Sequence, residues 1–175
     1  MKELIKDILI ALVIVVIITA VIKPTIVKES SMEPTLYENH YLFVNKMAYK
    51  MKEHPERGDI IVFESNLTKD NGQNKLLIKR VIAVEGDTVT IYQGRVYVNG
   101  ELIDEPYLMT QGHTYDDEGL DVDGLVVPEN QVFCMGDNRE MSLDSRSPEV
   151  GTVPEDLIMG KAFFRLYPFD QIGKI

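Results

Sequence analysis

The sequence predicts a mostly β domain carried on one N-terminal apolar helix, and three observations support that class. An unbroken apolar run stands near the N-terminus. Beyond Pro24, short runs of β-branched and aromatic residues are separated by Gly, Asn, Asp and Pro. Within them, Thr88 to Asn99, TVTIYQGRVYVN, reads as two alternating strands joined tightly at Gln93 and Gly94. A chain of 175 residues has room for one domain with a sizeable core and not for two large ones once the apolar segment is subtracted. The expected division is residues 1–24 as a membrane anchor and 25–175 as the β domain.

The elements follow in order. From Ile8 to Ile22 the run ILIALVIVVIITAVI is apolar apart from Thr19, and counted from Leu4 it reaches roughly 28 Å as a helix. That length crosses a bilayer core if Lys6 snorkels. A cleavable signal peptide is the rival reading, but Lys23 and Pro24 follow the run in place of a small-x-small cleavage site. Lys2 and Lys6 are offset by Glu3 and Asp7, while Lys23 and Lys28 lie on the other side, so charge leaves the orientation open. Strands are expected at Tyr41 to Asn45, Asp59 to Phe63, Leu76 to Val84, Thr88 to Gln93, Arg95 to Val98, Leu125 to Val127, Val132 to Met135 and Ala162 to Tyr167. Short helices are expected near Val44 to Met51 and after Pro154, where PEDLIMG begins with proline and acids and ends in glycine.

The formal net charge is -10, and Glu101 to Asn130 carries nearly all of it, with nine acidic residues and no Lys or Arg. With no basic patch to meet phosphates, nucleic acid is not expected as a partner. Within this region Tyr115 to Gly124, YDDEGLDVDG, reads as an exposed acidic loop. It lacks the ligand pattern of a calcium loop, having Gly119 and Asn130 where acidic ligands belong. The single Cys134 cannot form an internal disulfide and, between Phe133 and Met135, reads as a small core residue.

Candidate chemistry centres on one serine and one lysine. None of the six serines has lysine three residues on or sits in GxSxG, and His40, His54 and His113 show no evident acid partner. Ser31 opens SMEPTL just after the apolar segment, and a serine hydroxyl needs a base beside it to act as a nucleophile at neutral pH. Lys79 lies in LLIKRVIAV, where alternation places Leu77, Val81 and Ala83 on its own face and Ile78, Ile82 and Val84 on the face of Arg80. Either face is apolar, so one of the two cations is drawn toward the core. Burial lowers the pKa of a lysine, whereas arginine stays charged, and of the two only lysine can become a neutral base.

Three segments, VKESSMEPTL, LIKRVIAVEGD and MGDNREMSLDSR, resemble in order and spacing the signature boxes of the bacterial type I signal peptidases, in their shorter, single-anchor form. The likeness runs from the apolar segment to the closing GKAFFRLYPF. It implies a signal-peptidase-like antiparallel β domain on the extracytoplasmic side of the cell membrane, behind a single-pass anchor. It also implies Ser31 as nucleophile and Lys79 as general base. From the third box it implies Ser142 hydrogen-bonded to Lys79, with Asp144 and Arg146 paired to hold the site. A carboxylate touching Lys79 would stabilise the ammonium, so Asp144 is expected to be neutralised by Arg146 or Arg80. The GDN of the same box reads as a turn.

One departure stands out. The family commonly has glycine or serine two residues before the nucleophile, and this chain has Glu29 there, then Ser30. Glu29 is therefore expected to point away from the oxyanion, whose stabilisation rests on the Ser31 backbone amide with Ser30 as a second candidate. The resemblance implies signal-peptide cleavage on exported preproteins at the bilayer surface by a Ser/Lys acyl-enzyme route, with no metal or organic cofactor. Two alternatives are a self-cleaving repressor, which residues 1–30 do not suit, and a membrane-tethered, non-enzymatic β-rich binding module.

Overall fold

A computed structural model describes residues 2–50, 53–69, 71–110, 114 and 122–175. Helix α1 spans Lys2–Val21, and its side chains are exposed almost throughout, as suits a helix with no protein to pack against. Glu3–Val21 is long and apolar enough to cross a membrane, with a mean hydropathy of 2.8. The chain enters β1 (Ile22–Ile26) directly, so the expected boundary after residue 24 falls inside a strand. Apolar Ile22 continues the helical run in sequence. Its partner Asn45 on the next strand draws it into the sheet.

The remaining strands are β2 (Tyr41–Asn45), β3 (Ile60–Thr68), β4 (Asn74–Val84), β5 (Thr88–Tyr92), β6 (Arg95–Val98), β7 (Glu101–Leu102), β8 (Leu125–Val126), β9 (Gln131–Met135), β10 (Val153–Pro154), β11 (Ile158–Tyr167) and β12 (Gly173–Lys174). The large sheet runs β1-β2-β11-β3-β4-β9-β10, with β12 added to β11, and the small sheet runs β7-β6-β5-β8. All pairings are antiparallel. The fold is thus mostly β, as expected. Gln93 and Gly94 both take positive φ, 50° and 73°, which gives the β5–β6 hairpin the twist that its strands require.

Three apolar clusters hold the domain. Val27, Met32, Leu36, Leu42, Val44, Ile60, Val62 and Ala162 cover one face of the large sheet. Ile61, Phe63, Leu77, Val81, Val132, Cys134 and Val153 cover the other. Ile82, Ala83, Phe133 and Met135 pack with Val89, Val96, Val98 and Val127, which seats the small sheet on β4 and β9. Cys134 is fully buried in the second cluster, and burial pushes its thiol pKa well up.

Three expectations are corrected. The helix near Val44 to Met51 is absent from the described residues: β2 runs to Asn45, whose Oδ1 accepts the Met47 amide at 2.9 Å and turns the chain. After Pro154 the helix is a single 3-10 turn, Glu155–Leu157. On β4 the alternation holds at Leu77, Lys79 and Val81, but a register shift between Val81 and Ala83 moves Ala83 to the small-sheet cluster and Val84 to the cluster of Leu77. Residues 115–121 of the acidic stretch lie outside the described residues, as does His113. Of the rest, Val122 is buried against the small sheet and its carbonyl accepts the Ile91 amide at 2.9 Å.

Candidate active site

Ser31 sits in a 3-10 turn, Ser30–Met32, that follows β1 and is anchored by the fully buried Met32 and Leu36. Lys79 comes from the middle of β4, opposite Ile61 on β3, and is 1% exposed. The two meet, with Lys79 Nζ 2.6 Å from Ser31 Oγ across 48 residues of sequence. Burial pushes the Lys79 pKa below the ordinary lysine value, and the Arg146 charge adds to that effect. The carboxylates of Asp144 and Glu29 oppose it.

Asp144 and Arg146 are buried and face each other twice, Nε to Oδ1 at 2.8 Å and Nη2 to Oδ2 at 2.9 Å. The Gly136 and Arg146 amides also donate to Asp144, at 2.9 and 3.2 Å. Burial alone raises the pKa of Asp144, but these bonds and the Arg146 charge outweigh it and hold the carboxyl below its usual range. Asp144 is therefore neutralised by Arg146, and Arg80 has another partner. It grips Asp137 through Nε to Oδ1 at 2.8 Å and Nη2 to Oδ2 at 2.7 Å, under the ring of Tyr107 at 4.0 Å.

Ser142 does not make the bond to Lys79 that the resemblance implies. Its buried Oγ makes no bond to Lys79 and faces the Asp144 carboxylate, whose pKa it helps to lower. The hydroxyl is packed instead against Gly136, where a Cβ would lie 2.3 Å from Ser142 Oγ and equally close to the Ser31 carbonyl oxygen. Gly136 is thus required by close approach on two sides.

Ser30 opens the turn, half-buried, with its carbonyl accepting the Glu33 amide at 3.1 Å. Glu29 is exposed in extended conformation (φ -130°, ψ 156°) and makes no side-chain cap bond, yet its charge reaches Lys79. Of the histidines, His54 has an acid partner that the sequence did not suggest, with Nδ1 2.9 Å from Glu155 Oε2. His40 Nδ1 accepts the Tyr37 amide at 3.2 Å. Neither bonds Ser31. Among the described residues no cluster of His, Cys, Asp and Glu could hold a metal ion.

Several site-building residues went unread in the sequence. Asn138 donates its amide to Ser31 O at 3.1 Å and its Nδ2 to Ser30 O at 3.2 Å. Asp137 accepts from Thr35 as well as Arg80. Arg139 donates to Gly136 O at 3.0 Å and to Thr114 Oγ1 at 2.5 Å, and pairs with buried Glu105. The available signal was the density of polar residues in GDNR, which exceeds what a turn needs.

Comparison with known proteins shows the family of the chain. The sequence model of the family described as "Signal peptidase, peptidase S26" matches residues 1–167. The chain is 36% identical to "Signal peptidase I S" of Bacillus subtilis (strain 168), over 97% of its own length and 90% of that protein. It is 37% identical to a "Signal peptidase I" of Bacillus amyloliquefaciens, over 97% and 89%. It is 36% identical to "Probable signal peptidase I-2" of Synechocystis sp., over 89% and 67%. The crystal structure of a signal peptidase I from Enterococcus faecalis V583 superposes with a TM-score of 0.50 at 32% identity, covering 62% of this chain and 97% of that one. With a family match over nearly its whole length and relatives above 30% identity, this chain belongs to the signal peptidase, peptidase S26, family.

Proposed function

We propose that this protein is a membrane-anchored serine endopeptidase that removes signal peptides from exported preproteins. The observation that carries the reading is the 2.6 Å contact between Ser31 Oγ and a lysine amine that is buried and depressed in pKa. Lowering its pKa makes the neutral amine more accessible as a proton acceptor, and this one is within reach of the hydroxyl it would activate. Ser31 Oγ attacks the scissile carbonyl as its proton passes to Lys79 Nζ. The tetrahedral oxyanion is met by the Ser31 backbone amide, with Ser30 as the second candidate. Lys79 returns the proton to the leaving amine. Water, deprotonated by Lys79, then hydrolyses the ester and frees Ser31.

Asp144 and Arg146 support the site as a mutually satisfied pair, with the Arg146 charge offsetting part of the pull of the Asp144 carboxylate toward the ammonium. Ser142, buried beside Gly136, serves as a further support by filling the wall of the site. The substrate adds as an extended strand beside the segment leading from β1, an edge strand, to Ser31. No metal or organic cofactor takes part. Helix α1 lies in the lipid bilayer of the cell membrane, and the β domain stands on the extracytoplasmic side. Confinement to the surface where cleavage sites emerge raises the effective concentration of substrate. Ser31→Ala and Lys79→Met in a detergent preprotein-cleavage assay test the reading. Each should abolish turnover; normal cleavage by both variants would overturn the dyad, and no cleavage by the unsubstituted protein would leave the non-enzymatic, membrane-tethered module as the better description.

A further inference from the structure

The peptide unit that enters the nucleophile is held from behind. Asn138 contacts two consecutive carbonyls of the turn, Ser31 O through its backbone N–H and Ser30 O through Nδ2. A carbonyl oxygen only accepts, so the side-chain amide has to present its nitrogen there. The Ser30 carbonyl and the Ser31 N–H belong to one planar trans peptide, and in such a unit the two groups point in opposite directions. Whatever fixes the Ser30 C=O therefore fixes the Ser31 N–H. That N–H lies in the first turn of a 3-10 helix, where backbone amides have no partner within the helix.

We propose that Asn138 is a positioning residue, locking the Ser30–Ser31 peptide plane so that the Ser31 N–H is aimed at the developing oxyanion. The inference rests on the reading of Ser31 as nucleophile. The Glu33 amide also donates to Ser30 O, but that bond lies within the turn and moves with it. Of the bonds to Ser30 O among the described residues, only that from Asn138, across 108 residues, comes from outside the turn. Asn138 is itself held on both sides. Asp137 before it is clamped by Arg80 and Thr35, and Arg139 after it bonds the Gly136 carbonyl, Thr114 and Glu105. Two rigid neighbours leave the amide little freedom to drift. The lock does not contact Lys79, so it acts on transition-state geometry and leaves the base alone.

The test uses the full chain in detergent with Asn138→Asp, which keeps side-chain size and backbone N–H but has no Nδ2 donor. Displacing one oxyanion donor should lower kcat about 10²-fold. KM should stay as in the wild type, and kcat is compared above the acid limb, which the added carboxylate moves to higher pH just as the Glu29 charge does. A peptide aldehyde ending in alanine forms a hemiacetal whose oxygen occupies the oxyanion position, and its binding should weaken in parallel with kcat/KM. The matching peptide alcohol, which forms no adduct, should bind equally well. Asn138→Ser, which restores a short donor, should recover part of the aldehyde-to-alcohol ratio. That ratio is read on protein shown to be folded by thermal melting. Wild-type kcat in Asn138→Asp, or equal weakening of aldehyde and alcohol, overturns the lock. Turnover by Ser31→Ala instead overturns the nucleophile reading, which separates the two failures.

Discussion

Arg146→Met isolates what the buried ion pair does. The substitution keeps an unbranched side chain of similar length but removes both bonds to Asp144, a carboxylate with a side-chain exposure of 0%. Breaking a buried pair by deleting one partner costs about 3–5 kcal/mol, because the remaining charge has no water to return to. Arg146 also donates to the Arg139 and Ser142 carbonyls, at 2.8 and 3.3 Å, so the upper part of that range applies. For a domain of this size each kcal/mol shifts Tm by roughly 2–4 °C, and the expected fall at pH 7 is about 10 °C or more. The pH dependence has a fixed sign. The native pairing holds Asp144 below its usual pKa, so its stabilisation is present above the unfolded carboxyl pKa and is lost as pH falls through the folded one. The gap between wild type and variant therefore narrows below about pH 4. Thermal melts from pH 3 to 8 measure it. A fall of less than about 2 °C at pH 7, or a gap that widens on acidification, refutes the reasoning.

Three other perturbations have defined outcomes. Gly136→Ala places a Cβ 2.3 Å from both Ser31 O and Ser142 Oγ, so it should push the nucleophile turn aside and lower kcat by two orders of magnitude or more; activity within threefold of wild type would show that the turn yields freely. The kcat/KM profile should fall as pH drops through the depressed pKa of Lys79, and Glu29→Gln, by removing an opposing negative charge, should move that acid limb to lower pH. An unmoved limb would mean that the Glu29 charge is screened by solvent. Lys79→Met should inactivate the enzyme and yet raise Tm at pH 7. In the window between the depressed folded pKa and the unfolded value near 10.4, the unfolded chain binds more protons, so wild-type stability rises with pH there. The variant should lack that slope, and a lower Tm for it would contradict a burial penalty at Lys79.

Much of the fold was legible because its signals are local. The hairpin at Gln93–Gly94 announced itself through turn chemistry between alternating runs, and β2 appears between the residues expected. The β4 alternation broke down beyond Val81 because a bulge is set by pairing with β9, and a single strand's sequence carries no trace of that partner. The strand at Ile22–Ile26 was hidden by composition, since its first residue extends an apolar helix pattern. At the site, Lys79 was legible as a cation on an apolar strand, but that it meets Ser31 depends on long-range packing. The work done by Asp137, Asn138 and Arg139 was masked by their resemblance to turn residues, which GDN also are. Ser142 shows the limit of transferring a role by motif: its place beside Gly136 is clear, and the bond to Lys79 is not formed.

The most direct test of Ser31 and Lys79 as one catalytic unit is mass spectrometry of enzyme quenched during turnover of a preprotein peptide. An acyl group of the mass of the N-terminal cleavage fragment should appear on the peptide containing Ser31. It should be absent from Ser31→Ala, and in Lys79→Met it should not accumulate at any pH. A label on another residue, or full turnover with no covalent species in the Ser31→Ala protein, would contradict acyl transfer through this pair.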